Sequence, residues 1–168
     1  MHAKRLFKLE PPYLHLLAAT PSEACNFAWS LEKMPGRQPA VRIVRGSKSQ
    51  TTASLFDEIA AALQFPYYFG ENWDALDECL ADLDWLNGSG CVVIFTDAQR
   101  LLDREPVDEF SRLLDVLDAV AQSWASSATG DADSARRSFH AVFQCSSAEM
   151  AALASRFDSV GRSLDRLN

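Results

Sequence analysis

The sequence lacks the features that mark several common protein classes. In its 168 residues, no apolar run reaches the eighteen or so residues that a membrane-spanning helix needs. None of its four cysteines forms a C-x-x-C pair, so we expect unpaired thiols in a reducing cytoplasm and no zinc site. The basic N-terminus precedes an apolar stretch that Pro11 and Pro12 interrupt, which makes a poor secretory signal. These absences predict a cytoplasmic protein that does not act at a membrane.

Basic residues are missing from one long segment. Lys and Arg are absent from residues 49 to 99, whereas nine Asp and Glu lie there. The whole chain carries a formal charge of −7, and outside this segment basic residues slightly outnumber acidic ones. Because phosphate binding needs a basic face, we do not expect nucleic acid as a direct ligand. The concentrated acidity indicates either a solvated surface or a surface for a basic partner.

Hydrophobic periodicity predicts strands that alternate with helices. Short apolar runs predict strands at residues 13–19, 40–45, 91–95 and 139–145, although periodicity alone also allows a helical turn at the first. Helical spacing predicts helices that begin after Thr20, near Thr52, at about Asn72, after Pro106 and after Ser146. The stretch 126–138, rich in Ser, Ala and Asp, predicts a loop or mobile connector. Since parallel neighbours need crossover connections, this order predicts an α/β fold with parallel strands.

Residues 72 to 83 predict an amphipathic helix with an acidic face. Apolar residues fall on one side of a helical wheel, and Asp74, Glu78 and Asp82 follow at i, i+4 and i+8 on the other. Asn72 fits the N-cap, and Asp74 in the first turn complements the helix dipole. Like charges spaced by four destabilise a helix by about 0.2–0.5 kcal/mol per pair. The row therefore suggests a cationic partner, either another protein or a group elsewhere in the fold.

The sequence of this helix and of the loop before it resembles that of a known protein family. The string Phe65-Pro66-x-Tyr68-Phe69-Gly70-Glu71-Asn72-Trp73-Asp74-Ala75-Leu76-x-Glu78-Cys79-Leu80 is similar to the signature of the barstar family of ribonuclease inhibitors. The order of elements extends the resemblance over residues 39–145. It implies an α/β fold in which helices pack on a three-stranded parallel sheet. Residues 1–38 are then an N-terminal extension with a possible strand and helix, and residues 146–168 a C-terminal helix and tail.

The resemblance implies that the loop and the helix start contact a partner. By position, Tyr68 is an aromatic anchor, Gly70 lets the backbone approach the enzyme, and Asn72 and Trp73 stand at the start of the helix. Each of the larger side chains also has a structural interpretation that stays open. Tyr68 can pack on Pro66, Trp73 can belong to the core, and Asn72 can serve only as a helix cap.

The resemblance also implies which carboxylates face the enzyme. Asp74 and Glu78 are the main ones, and we add Asp77 and Asp82 to the predicted partner-binding surface. Two positions depart from the family, because Glu78 stands where barstar has Asp and Asp77 where it presents an aromatic ring. A further acid comes from the helix after Pro106, for which Asp118 is a loose candidate. The predicted partner is a small basic ribonuclease. The carboxylates would bind the Lys and Arg side chains with which that enzyme holds RNA phosphates.

Two other functions remain open at this stage. Asp74, Glu78 and Asp82 could hold magnesium in an enzyme, but such a site needs a cationic clamp for its substrate, and residues 49–99 contain none. We therefore predict that the protein is not an enzyme and has no cofactor and no metal site. The second alternative is an interaction or immunity module that keeps this fold and binds another basic protein or toxin.

Overall fold

The computed structural model describes residues 3–127 and 137–168. In chain order its strands and helices are β1 (Leu14–Ala18), α1 (Pro21–Glu32), β2 (Ala40–Arg45), α2 (Thr52–Leu63), α3 (Trp73–Asp82), β3 (Gly90–Thr96), α4 (Val107–Ser127), β4 (Ser138–Cys145), α5 (Met150–Ser159) and β5 (Asp165–Arg166). Every strand pairing is parallel, which confirms the predicted α/β class with packed helices. Among the described residues, no helix has both the length and the apolar character to cross a membrane.

The sheet has five strands in the order β2-β3-β4-β1-β5, so the predicted three-stranded sheet is wrong. Strands β2, β3 and β4 lie within residues 39–145, and both terminal segments extend the sheet beyond β4. Strand β1 pairs with β4, placing Leu14 opposite Ala141, and β5 pairs with β1. Strand β4 is buried along its whole length, so its backbone N–H and C=O groups require hydrogen-bond partners on both sides. Strand β1 supplies these partners on the side away from β3.

Helices cover both faces of the sheet, because successive side chains of a strand point to opposite sides. In β3, Val93 and Phe95 belong to a core that α2, α3, α4 and α5 complete. Val92 and Ile94 belong to a second core that α1 and the N-terminal turn at residues 3–7 complete. Helix α1 and helix α3 therefore lie on opposite faces of the sheet.

Local signals place most element boundaries where the sequence predicts them. Thr20 caps α1 in a capping box with Glu23, as its sequence indicates. Helix α2 is capped in the same way by Thr51, one residue before the predicted start. The predicted connector at 126–138 is shorter than expected at both ends, since α4 runs to Ser127 and β4 begins at Ser138. Residues 128–136 of that connector lie outside the described residues.

Two buried histidines join the terminal segments to the sheet. His15 of β1 and His140 of β4 are fully buried, with 2.9 Å between His15 Nε2 and His140 Nδ1. His140 Nε2 donates to the carbonyl oxygen of Lys8 at 2.9 Å, and His15 Nδ1 lies 3.3 Å from Asp165 Oδ2 of β5. Asp165 also forms an ion pair with Arg5. Burial lowers the pKa of both histidines to about 4.

Candidate partner-binding surface

The loop between α2 and α3 is held in place by phenylalanines that turn inward. Phe65 and Phe69 pack on the core with ring centroids 5.0 Å apart, and Phe69 lies 6.0 Å from Phe56 of α2. The Phe69 N–H donates to the carbonyl oxygen of Pro66 at 3.0 Å, which closes a turn. The loop is thus a defined turn whose shape depends on contacts of partly buried aromatic rings with the core.

The two residues inside this turn face solvent. Tyr67 is 101% exposed and Tyr68 is 68% exposed, and their rings contact each other edge to face with centroids 5.8 Å apart. Because its ring is mostly exposed, Tyr68 is available to a partner, as its predicted role requires. Exposed aromatic rings in a fixed turn are typical of protein interfaces.

Asn72 connects the loop to the acidic helix. Its Oδ1 accepts from the Ala75 N–H at 2.9 Å, which is the N-cap contact, and its Nδ2 donates to the Gly70 carbonyl at 3.1 Å. A Cβ at Gly70 would lie 3.1 Å from Asn72 Nδ2, so a larger residue there would push against the cap. Glu71, between them, adopts a left-handed conformation with φ of 50°. Asn72 is therefore a helix cap, and its role toward a partner stays a prediction.

We expect Asn72→Ala to lower the free energy of unfolding by about 1 kcal/mol, because the Ala75 N–H loses its acceptor. Asn72→Asp keeps an acceptor at this position and is the matched control, with less than half that loss expected. Urea unfolding followed by circular dichroism measures both. Equal stability of Asn72→Ala and the parent protein would show that the cap contributes nothing.

Trp73 is half-buried beside the core. Its ring lies 5.2 Å from that of Phe56, and its indole Nε1 donates to Glu109 Oε2 of α4 at 2.9 Å. These contacts support the interpretation of Trp73 as a core residue that ties α3 to α4. Its exposed part lines a groove of about 630 Å³ between these helices, together with Asn72, Asp74, Asp77, Arg112 and Asp115.

The predicted carboxylates of α3 point away from the protein. All four are exposed, namely Asp74, Asp77, Glu78 and Asp82. Within the described ranges, no Lys, Arg or His nitrogen lies within 4.0 Å of any of their carboxylate oxygens. The terminal segments do not cover them either. Their mutual repulsion is thus uncompensated within the described structure, which leaves them available to an external cation.

Three carboxylates of α4, those of Glu109, Asp115 and Asp118, differ from those of α3, because each forms an ion pair with an arginine of the same chain. Arg162, which follows α5, donates to Asp115 and at 3.2 Å to Asp118, and the two carboxylates raise the pKa of its guanidinium. Glu109 forms an ion pair with Arg112 at 3.7 Å. Asp118 is therefore engaged internally. Sequence reasoning missed Arg112 and Arg162, and only the i, i+3 spacing of Glu109 and Arg112 signalled the first pair.

Metal ions have no evident place on this surface. Across residues 3–127 and 137–168, no group of three or more His, Cys, Asp or Glu is arranged to hold one. The chemistry that the surface offers is therefore charge-assisted hydrogen bonding from α3 and aromatic contact from the loop.

Comparison with known proteins relates the chain to one family. A family model described as barstar (barnase inhibitor) matches residues 40–145. No curated protein matches the chain. Among solved structures, a chain in "Structure of Drosophila ORC bound to AT-rich DNA and Cdc6" is 14% identical with a TM-score of 0.45, and the match covers 90% of this chain and 47% of that one. This chain thus spans about half of that protein. The family match covers well over half of the 168 residues and contains the loop, α3 and all of α4, so the chain belongs to the barstar family.

Proposed function

We propose that this protein inhibits a small basic ribonuclease by covering its active site with α3 and the loop before it. The observation that carries the proposal is the group of exposed α3 carboxylates that no cation of the described structure neutralises. The family description names an inhibitor of a ribonuclease, which gives the partner class and supports a binding protein rather than an enzyme.

The chemistry of the partner explains why carboxylates suit this role. An active site that holds RNA phosphates presents Lys and Arg, and a carboxylate can accept their hydrogen bonds in place of phosphate. Asp74 and Glu78 lie one turn apart on α3, so their oxygens face the same direction. The surrounding negative charge also accelerates encounter with a basic protein. Inhibition by this mechanism needs neither a cofactor nor a reaction.

A second function stays open because the surface departs from the family signature. Asp77 replaces an aromatic ring, and Arg112 places a positive charge in the groove beside Asp74 and Asp77. A different distribution of charge selects a different partner. The second candidate function is therefore that of an immunity or interaction module for another basic protein or toxin.

Titration of RNA cleavage tests the proposal. Several small basic microbial ribonucleases, barnase among them, are mixed with increasing amounts of the full chain, and cleavage of a fluorogenic RNA is recorded. We expect activity to fall linearly to zero at one inhibitor per enzyme for at least one of them, and the inhibition to weaken at high salt. If all the enzymes stay active at micromolar inhibitor, the module function replaces the inhibitor function.

A further inference from the structure

We propose that Tyr67, together with Tyr68, receives an arginine side chain of the partner, so that the partner covers the turn at residues 65–69 as well as α3. This inference rests on the proposed function and names a contact beyond the family signature, in which position 67 is unspecified. We call the two rings the aromatic tip.

The exposure of Tyr67 is the first observation. Of the four aromatic residues between 65 and 69, Phe65 and Phe69 turn into the core, whereas Tyr67 and Tyr68 turn outward. A tyrosine side chain offers about 150–250 Å² of surface for burial, and here nearly all of that surface at Tyr67 lies in water. No packing role within the described structure accounts for that ring beyond its edge contact with Tyr68.

The turn also holds the aromatic tip in position before any partner arrives. The partly buried Phe65 and Phe69 rings, together with the hydrogen bond from the Phe69 N–H to the Pro66 carbonyl, hold the backbone on both sides of Tyr67. A preorganised loop loses little conformational entropy on binding, so contacts made by its exposed rings contribute more of their energy to affinity.

The chain covers other aromatic rings with its own cations but leaves the aromatic tip uncovered. The ammonium of Lys33 lies 3.8 Å from the ring centre of Trp29, the other strongly exposed large aromatic, and Arg156 and Arg137 lie over Phe110 and Trp124. Over the described parts of the chain, neither tyrosine ring has a Lys or Arg above it. A ring face of this kind attracts a guanidinium, and arginine stacks on it more readily than lysine.

The distribution of charge points to the same side of the surface. Arg162 already forms ion pairs with Asp115 and Asp118 of α4. In the described structure, Glu71 and the α3 carboxylates that follow the aromatic tip form no ion pair with a cation of the chain. A basic protein is thus attracted most strongly to α3 and its loop. The aromatic tip continues that surface, so a partner seated on α3 brings its cations within reach of the rings.

Substitutions at Tyr67 test the inference on a ribonuclease that the parent protein inhibits. We expect Tyr67→Ala and Tyr67→Leu to raise the inhibition constant at least 10-fold, and Tyr67→Phe, which keeps the ring, to stay within about 3-fold. Trp29→Ala is the control, because it removes an exposed aromatic from α1 on the opposite face, and it should change the constant less than 2-fold. Thermal unfolding of each variant establishes that the fold is retained.

Three results overturn the inference in ways that can be told apart. If Tyr67→Ala inhibits like the parent while Asp74→Asn does not, the aromatic tip lies outside the interface and the proposed function stands. If Tyr67→Leu inhibits like Tyr67→Phe, the contact is apolar and no guanidinium is held. If the parent protein inhibits none of the ribonucleases, the proposed function is wrong and this inference fails with it.

Discussion

Replacing Asp74 by Asn and Glu78 by Gln in the same chain is expected to remove nearly all inhibition of the target ribonuclease. Both substitutions keep the shape of the side chain and remove its charge. A hydrogen bond to a charged group contributes about 1.5–3 kcal/mol, so each single change should weaken binding by about 10- to 150-fold. Inhibition constants and association rates at low and high salt measure the effect. The association rate should fall most at low salt, where the field of the carboxylates acts furthest.

A loss of folding is not expected to imitate this result, because the exposed carboxylates form no ion pair in the described structure and Asp74 adds only its interaction with the helix dipole. Glu78→Gln removes two like-charge pairs at i, i+4, with Asp74 and Asp82, so the free energy of unfolding should rise by a few tenths of a kcal/mol. Glu32→Gln on α1 is the matched control, since it removes an acid of the opposite face whose ion pair with Arg42 spans 3.9 Å. Equal losses in Glu32→Gln and Glu78→Gln would mean that net charge, and not the α3 surface, determines inhibition.

The acidic helix could be predicted from sequence because its signals are local. Asn72 caps α3 within three residues of itself, and the alternation of Leu76 and Glu78 between core and solvent follows from the helical period. The same applies to α1 and α2, whose capping boxes lie at their starts. Patterns that arise within one turn of helix do not depend on the rest of the chain.

The contacts that distinguish this protein could not be predicted, because they join residues far apart in sequence. Arg162 reaches Asp118 across 44 positions, and no pattern near either residue indicates the pairing. Strand β5 has two residues, Asp165 and Arg166, too few to show a period of two. The outward direction of Tyr67 depends on how Phe69 packs against Phe56 and Phe65 against Trp85, and both of these partners lie outside the motif.

The same long-range contacts make the fold sensitive to acid through His15 and His140. The carbonyl oxygen of Lys8 only accepts, so His140 Nε2 carries a proton, and its Nδ1 then accepts from His15 Nε2. In this neutral arrangement His15 Nδ1 carries no proton and lies 3.3 Å from Asp165 Oδ2, so the carboxylate favours protonation of His15. Burial outweighs this effect and lowers the pKa of each histidine to about 4. His15 has Asp165 and Arg5 as charged neighbours, whose effects on its pKa oppose each other. His140 faces the Tyr13 ring, and the nearby His15 lowers its pKa further.

The folded protein is therefore expected to lose stability as the pH falls below the usual histidine pKa of 6.5. Between 6.5 and about 4 the unfolded chain binds protons that the folded chain excludes, so stability is complete above this range and decreases within it. From pH 7.5 to pH 5 the loss should be about 2 kcal/mol for each histidine, a large fraction of the total stability of a small domain. Urea unfolding at these pH values measures it, and pH 5 lies above the range in which most carboxyl groups titrate.

His140→Gln, whose amide can still donate to the carbonyl oxygen of Lys8, should be less stable than the parent protein at pH 7.5, and its stability should be about half as sensitive to pH. A free energy of unfolding that stays constant from pH 7.5 to pH 5 would show that the two histidines take up protons as readily in the folded protein as in the unfolded chain.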